Sequence, residues 1–166
     1  FGISWKTYVF HASLINIIIS LSTFLVLRNL SLDFKKSLFF SLCFSILAYP
    51  SSGTPFVDHH SAFFSMIGVY LILICIKKES KYLSFSIPAF FILGFMSKQV
   101  PSIYLIISSI PLFLLYALYN KKWFLISSFS YGLISFISIL FIFGAINNIS
   151  LNNFIEQYFL YPQSIA

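Results

Sequence analysis

Eight of the ten Lys/Arg residues fall in three short stretches: Arg28, Lys35 and Lys36; Lys77, Lys78 and Lys81; and Lys121 with Lys122. The segments between them are long, apolar and almost free of charge. That pattern restricts the chain to a bundle of membrane-crossing helices, and it also sets their direction, because basic turns stay on the cytoplasmic side. On the opposite side remains a small polar set: Asp58, His59, His60, Lys98, Gln99 and Glu156.

Composition closes the soluble alternative. The chain is 59% hydrophobic and only 8% charged, with a mean hydropathy of +0.94, whereas soluble domains carry about 25% charged residues. A net charge of +6 could point to nucleic acid. The positive residues, however, sit at the ends of apolar runs and not along one groove-facing stripe, so the partner is the lipid bilayer and not a nucleic acid. Cys43 and Cys75 both lie inside apolar runs and read as small hydrophobes, with neither a disulfide nor a metal pair implied.

A crossing helix needs about 20 apolar residues to pass a core of about 30 Å. The expected fold is therefore all-α, a polytopic membrane helix bundle in one domain over 1–166. About six spans are expected near 8–27, 37–49, 60–76, 82–97, 101–119 and 123–146, with an amphipathic external helix over 151–160. The second span stops before the turn-forming 50–55. The fourth is short, and either borrows Lys98 and Gln99 or remains so. Pro101 suits the first turn of the fifth. Pro111, behind Ser108 and Ser109, predicts a kink there, and Pro88 either kinks the fourth helix or marks its start.

Turns after the first, third and fifth spans hold eight basic residues, and those after the second, fourth and sixth hold Lys98 alone. In the tail, Leu151, Phe154, Ile155, Tyr158 and Phe159 recur at helical spacing, opposed by Asn152, Asn153, Glu156 and Gln157. That helix either lies on the outer membrane surface or packs on the protein. The chain starts at Phe1 without a signal peptide and stops in a loop-like 161–166, and so reads as a fragment of something larger.

The polar set has a structural and a functional reading throughout. Asp58 is either the N-cap of the third helix or a cavity residue that, with His59 or His60, holds a polar substrate or a loosely bound divalent cation. No cofactor is certain and no metal site is assigned. Adjacent helical histidines point about 100° apart, so both ligate one ion only if the backbone there is not helical. Lys98 either snorkels to water or neutralises a phosphate or carboxylate at the outer boundary. Glu156 faces solvent, or adds a second acid to the same cavity. No catalytic nucleophile or base is identifiable.

The run Gly53-Thr54-Pro55-Phe56-Val57-Asp58-His59-His60-Ser61-Ala62-Phe63-Phe64 and the downstream Gly94-Phe95-Met96-Ser97-Lys98 carry a family likeness. Together they resemble segments of the multi-spanning glycosyltransferases of the C superfamily, which include protein mannosyltransferases and lipid A aminoarabinose transferases. In those a T-P-D-like loop precedes a helix opening A-x-x-F-F, and a G-x-x-x-K closes a short helix. The resemblance covers roughly residues 1 to 120. It implies transfer of a sugar from a polyprenyl-phosphate donor to an acceptor on the non-cytoplasmic face of a membrane, expected to be the bacterial inner (plasma) membrane. It also implies that Asp58 lines the cavity and that Lys98 contacts the donor phosphate. Apart from the resemblance, Tyr49 and Gln99 are candidates for positioning sugar hydroxyls. The family's proposed catalytic carboxylate lies in an upstream external loop. A membrane transporter or channel subunit, and a non-catalytic membrane scaffold, are the rival classes.

Overall fold

The computed structural model describes residues 4–48 and 57–160, the side chains of Val57, Asp58 and Phe159 excepted. Tyr49, the turn segment 50–55 and the terminal 161–166 lie outside the described residues. Six long helices follow one another: α1 (Trp5–Asn29), α2 (Phe34–Ala48), α3 (Val57–Lys78), α4 (Lys81–Ser97), α5 (Gln99–Tyr119) and α6 (Trp123–Ile146). A short α7 (Leu151–Ile155) widens into a π-helical segment, Glu156–Leu160. Among the described residues there is no strand.

Helix starts follow from side chains that accept the otherwise unpaired first N–H groups. Ser4 accepts from the Thr7 N–H, Asp33 from Lys36, Ser80 from Leu83 and Ser150 from Asn153. Three helix ends close by one motif. After α1 the N–H of Ser31 bonds the Arg28 carbonyl and that of Leu32 bonds Leu27; Lys121 and Lys122 repeat this after α5, and Asn148 and Ile149 after α6. Each puts a non-glycine residue in the left-handed region: Ser31 at φ 76°, Lys121 at 57° and Asn148 at 54°.

Four helices are long and apolar enough to cross a bilayer: Trp5–Asn29, His59–Lys78, Gln99–Tyr119 and Trp123–Ile146. The chain is an integral membrane protein. Helices α2 and α4, with 15 and 17 residues, reach roughly 22 and 25 Å at 1.5 Å per residue, short of a 30 Å core. Of the two alternatives for the fourth span, α4 remains short and does not borrow Lys98 and Gln99. Lys98 is extended (φ −161°, ψ 137°) and separates α4 from α5. Val100 is also non-helical, so the regular turns of α5 begin at Pro101, and Pro88 and Pro111 both lie inside their helices.

The core has two parts. Ile72, Cys75, Ile87, Phe91, Phe113, Ala117, Leu125 and Phe129 join α3 to α6, while Ile19, Phe63 and Ile67 join α1 to α3. Cys75 is buried and Cys43 half-buried, both as free thiols. Helix α3 is the hub, packed on α1, α4 and α5, with α2 against α1 and α6 against α4. The α4–α6 crossing is close because its contacts are small. Gly132 passes the Phe85 carbonyl, Ser128 Oγ donates to the Lys81 carbonyl at 2.6 Å and Ser84 Oγ to the Leu125 carbonyl at 2.7 Å. Small residues and interhelical hydrogen bonds are what hold helices together where lipid removes the hydrophobic drive.

Candidate functional site

The three basic turns meet at one end of the bundle. Lys77 Nζ on α3 donates to the Asn29 carbonyl and to Ser31 Oγ after α1. Lys122, before α6, pairs with Glu79 after α3 at 2.8 Å. The hydrogen bond and the charge of Glu79 hold the Lys122 ammonium above its ordinary pKa. The charge alternation read along the chain thus becomes a two-ended molecule.

At the other end α3, α4 and α5 converge on a chain of serine hydroxyls. Ser61 Oγ donates to the Lys98 carbonyl at 2.6 Å, Ser61 and Ser102 hydroxyls lie 2.7 Å apart, and Ser65 and Ser102 hydroxyls also 2.7 Å. All three serines are buried. Gly94 makes room for them. A Cβ there would fall 2.4 Å from Ser65 Oγ, 2.7 Å from Ser102 Oγ and 3.0 Å from the Ser61 carbonyl. The Lys98 N–H donates to the Gly94 carbonyl at 3.1 Å. Both backbone groups of this non-helical residue are therefore satisfied, as an apolar surrounding requires.

That junction brings Lys98 to the first turn of α3, where Asp58, His59 and His60 lie. Asp58 is the second residue of the helix and not the residue before it, where an N-cap would stand; the placement of its side chain lies outside the described residues. The His59 ring meets the Phe63 ring edge-on at 6.2 Å. The two adjacent histidines diverge, as helical geometry requires. His60 turns to a residue that sequence reasoning passed over: its Nε2 lies 2.8 Å from His11 Nε2 on α1, with rings 5.0 Å apart and 24° from parallel.

Lys98 is exposed and Gln99 half-buried. The Gln99 amide donates to the Tyr158 carbonyl, and the Tyr158 hydroxyl donates to the Met96 carbonyl at 2.8 Å. The terminal helix is thus held against the α4–α5 corner, with Phe154 stacked on Tyr158 at 4.8 Å. Glu156, one short step along that segment, is exposed. His11, Asp58, His59, His60, Lys98, Gln99 and Glu156 accordingly share one end of the molecule. The contacts that assemble this end, Ser65, Ser102 and His11, had faint sequence signals: Ser61 and Ser65 stand four apart on an apolar helix, and His11 is the single histidine of the first. Among the described residues no group of three His, Cys, Asp or Glu forms a metal-ligating cluster.

The arrangement offers a cation, imidazoles and an amide at the end of an apolar bundle, which suits an anionic or polyhydroxylated group at the lipid–water boundary. No family model, curated protein or solved structure matches the chain.

Proposed function

We propose that all six long helices span the bilayer and that the chain is part of a glycosyltransferase using a polyprenyl-phosphate-linked sugar on the non-cytoplasmic face. One observation carries this reading. The Ser61–Lys98 hydrogen bond ties the Asp-His-His turn to the lysine corner, at the end of the bundle away from the three basic turns. A lipid-linked donor keeps its prenyl chain among apolar helices and its phosphate at the boundary, where Lys98 is exposed. A fixed ammonium there stabilises the charge that develops on the departing phosphate. The short α2 and α4 span by local thinning of the bilayer and by snorkelling of the lysines that flank them. The terminal helix lies at the outer surface, docked through Gln99 and Tyr158. The catalytic base comes from outside this set.

The resemblance of the Asp58 and Lys98 segments to C-superfamily glycosyltransferases points the same way. Against transport, no helix carries a charged residue near its middle, where ion and substrate pathways place them. In the full-length protein, Lys98→Ala and Asp58→Asn are expected to leave insertion intact and to abolish transfer of a labelled sugar from polyprenyl phosphate. Transfer at the parental rate by both variants removes these residues from the reaction and the proposal with them.

A further inference from the structure

Two contacts at the basic end fasten the turn between α3 and α4 to the turn between α5 and α6. Lys122 Nζ pairs with Glu79 at 2.8 Å, and Lys81 Nζ stands 5.9 Å over the ring of Phe124, the second residue of α6. Lys78 and Lys121 adjoin that ion pair in sequence, one beside each partner. Both are exposed, as is Lys81. The corner therefore gathers five lysines, Lys77, Lys78, Lys81, Lys121 and Lys122, against one carboxylate, a local excess of +4. Glu79 is taken up by Lys122, so the field of the remaining ammonium groups is turned outward and attracts anions.

We infer that this corner seats the phosphate of an anionic phospholipid, with Lys78, Lys81 and Lys121 as its cations. Two observations select a lipid over a soluble anion. Three of the helices long and apolar enough to cross a bilayer have an end here, at Lys78, Tyr119 and Trp123, so the corner lies at the level of the headgroups. Tyr82, Tyr119 and Trp123 surround it and are all exposed, and large amphipathic rings at a helix end are the side chains that settle among headgroups. The backbone adds donors. Ser4, Asp33 and Ser80 cap α1, α2 and α4, whereas no side chain caps α6. Its first N–H groups and the positive end of its dipole thus open where Lys81 lies over Phe124. An ammonium beside open backbone donors at one helix start is the pairing that a phosphate oxygen requires.

The site lies opposite the Lys98 end and does not depend on sugar transfer. The test is native mass spectrometry of the full-length protein in nonionic detergent, titrated with dioleoylphosphatidylglycerol. A parallel titration uses dioleoylphosphatidylcholine, which has the same chains and no net charge. The expected result is a phosphatidylglycerol retained at concentrations where phosphatidylcholine is lost, and left in place by millimolar sodium phosphate. Lys78→Gln, Lys81→Gln and Lys121→Gln should each weaken retention about fivefold, equivalent to roughly 1 kcal/mol. Lys121→Arg, which keeps the charge, and Lys35→Gln, which removes the same charge from the turn between α1 and α2, should both bind like the parent. Equal retention of the two lipids overturns the site, and so does equal weakening by Lys35→Gln, which would leave only diffuse charge. Loss of binding by Lys121→Arg, or displacement of the lipid by millimolar phosphate, overturns it as well, the last in favour of a soluble anion.

Discussion

Gly94→Ala is the sharpest perturbation of the junction that carries Lys98. The added methyl would stand 2.4 Å from Ser65 Oγ and 2.7 Å from Ser102 Oγ, whereas relaxed non-bonded heavy atoms sit at about 3.5 Å or beyond. Ser65 must withdraw by about an ångström, which breaks its bond to Ser102, and Ser102 must then turn from Ser61. Interhelical hydrogen bonds of this kind contribute on average about 0.6 kcal/mol each in a membrane protein. Overpacking that the helices cannot relieve adds about 1–3 kcal/mol, and alanine's better helix propensity returns up to about 1 kcal/mol. The net destabilisation is roughly 1–3 kcal/mol, read as a lower midpoint for unfolding by SDS in mixed micelles. Ser65→Ala removes the nearest clashing atom, so in the double variant the methyl should be better tolerated, with a favourable coupling of about 1 kcal/mol. An unchanged midpoint for Gly94→Ala refutes the tight junction. So does strict additivity with Ser65→Ala.

Three further substitutions test the packing independently, and all are read by the same unfolding midpoint. Gly132→Ala puts a Cβ 2.1 Å from the Phe85 carbonyl, a backbone atom with no rotamer to yield, and should part α4 from α6 at a cost of about 2 kcal/mol or more; Gly144→Ala, with open space around it, should be neutral or stabilising by up to about 1 kcal/mol. Asn16→Leu removes the two 3.0 Å bonds from Asn16 Nδ2 to the Ser45 carbonyl and hydroxyl, and should loosen α1 from α2 by about 1–2 kcal/mol.

What could be read along the chain was whatever depends on one segment at a time. The apolar runs gave six helices, and the positions of Arg28, Lys77 and Lys122 gave the two ends, because charge at a span's end needs no knowledge of its neighbours. Helix limits were blurrier. Asp33 caps α2 three residues earlier than the expected start at Ser37, since its carboxylate takes the Lys36 N–H at 2.7 Å. The ends of α1, α5 and α6 at Asn29, Tyr119 and Ile146 lie within two residues of the expected 27, 119 and 146, although Ser31, Lys121 and Asn148 stand where glycine usually marks the stop. Partnership was illegible. His60 meets His11, 49 positions away, and nothing in the Asp58-His59-His60 run points to that partner. Only the rotation of α3 against α1 decides that, and rotation is set by packing that no span contains within itself.

The five residues from Gly94 to Lys98 illustrate how such a spacing acquires physical meaning. Helix α4 stops at Ser97, and a stop exposes backbone groups that need partners where water is scarce. Lys98 meets this with its N–H on the Gly94 carbonyl and its own carbonyl on Ser61 Oγ. The second bond exists only because Ser61, Ser65 and Ser102 crowd together, and they crowd together only where position 94 lacks a side chain. The glycine therefore acts four residues away, on the direction of a charge. Replacing the Lys98 side chain should leave the corner standing, because the corner is built from backbone and serine. Replacing Gly94 should move the corner itself, even though the ammonium is untouched.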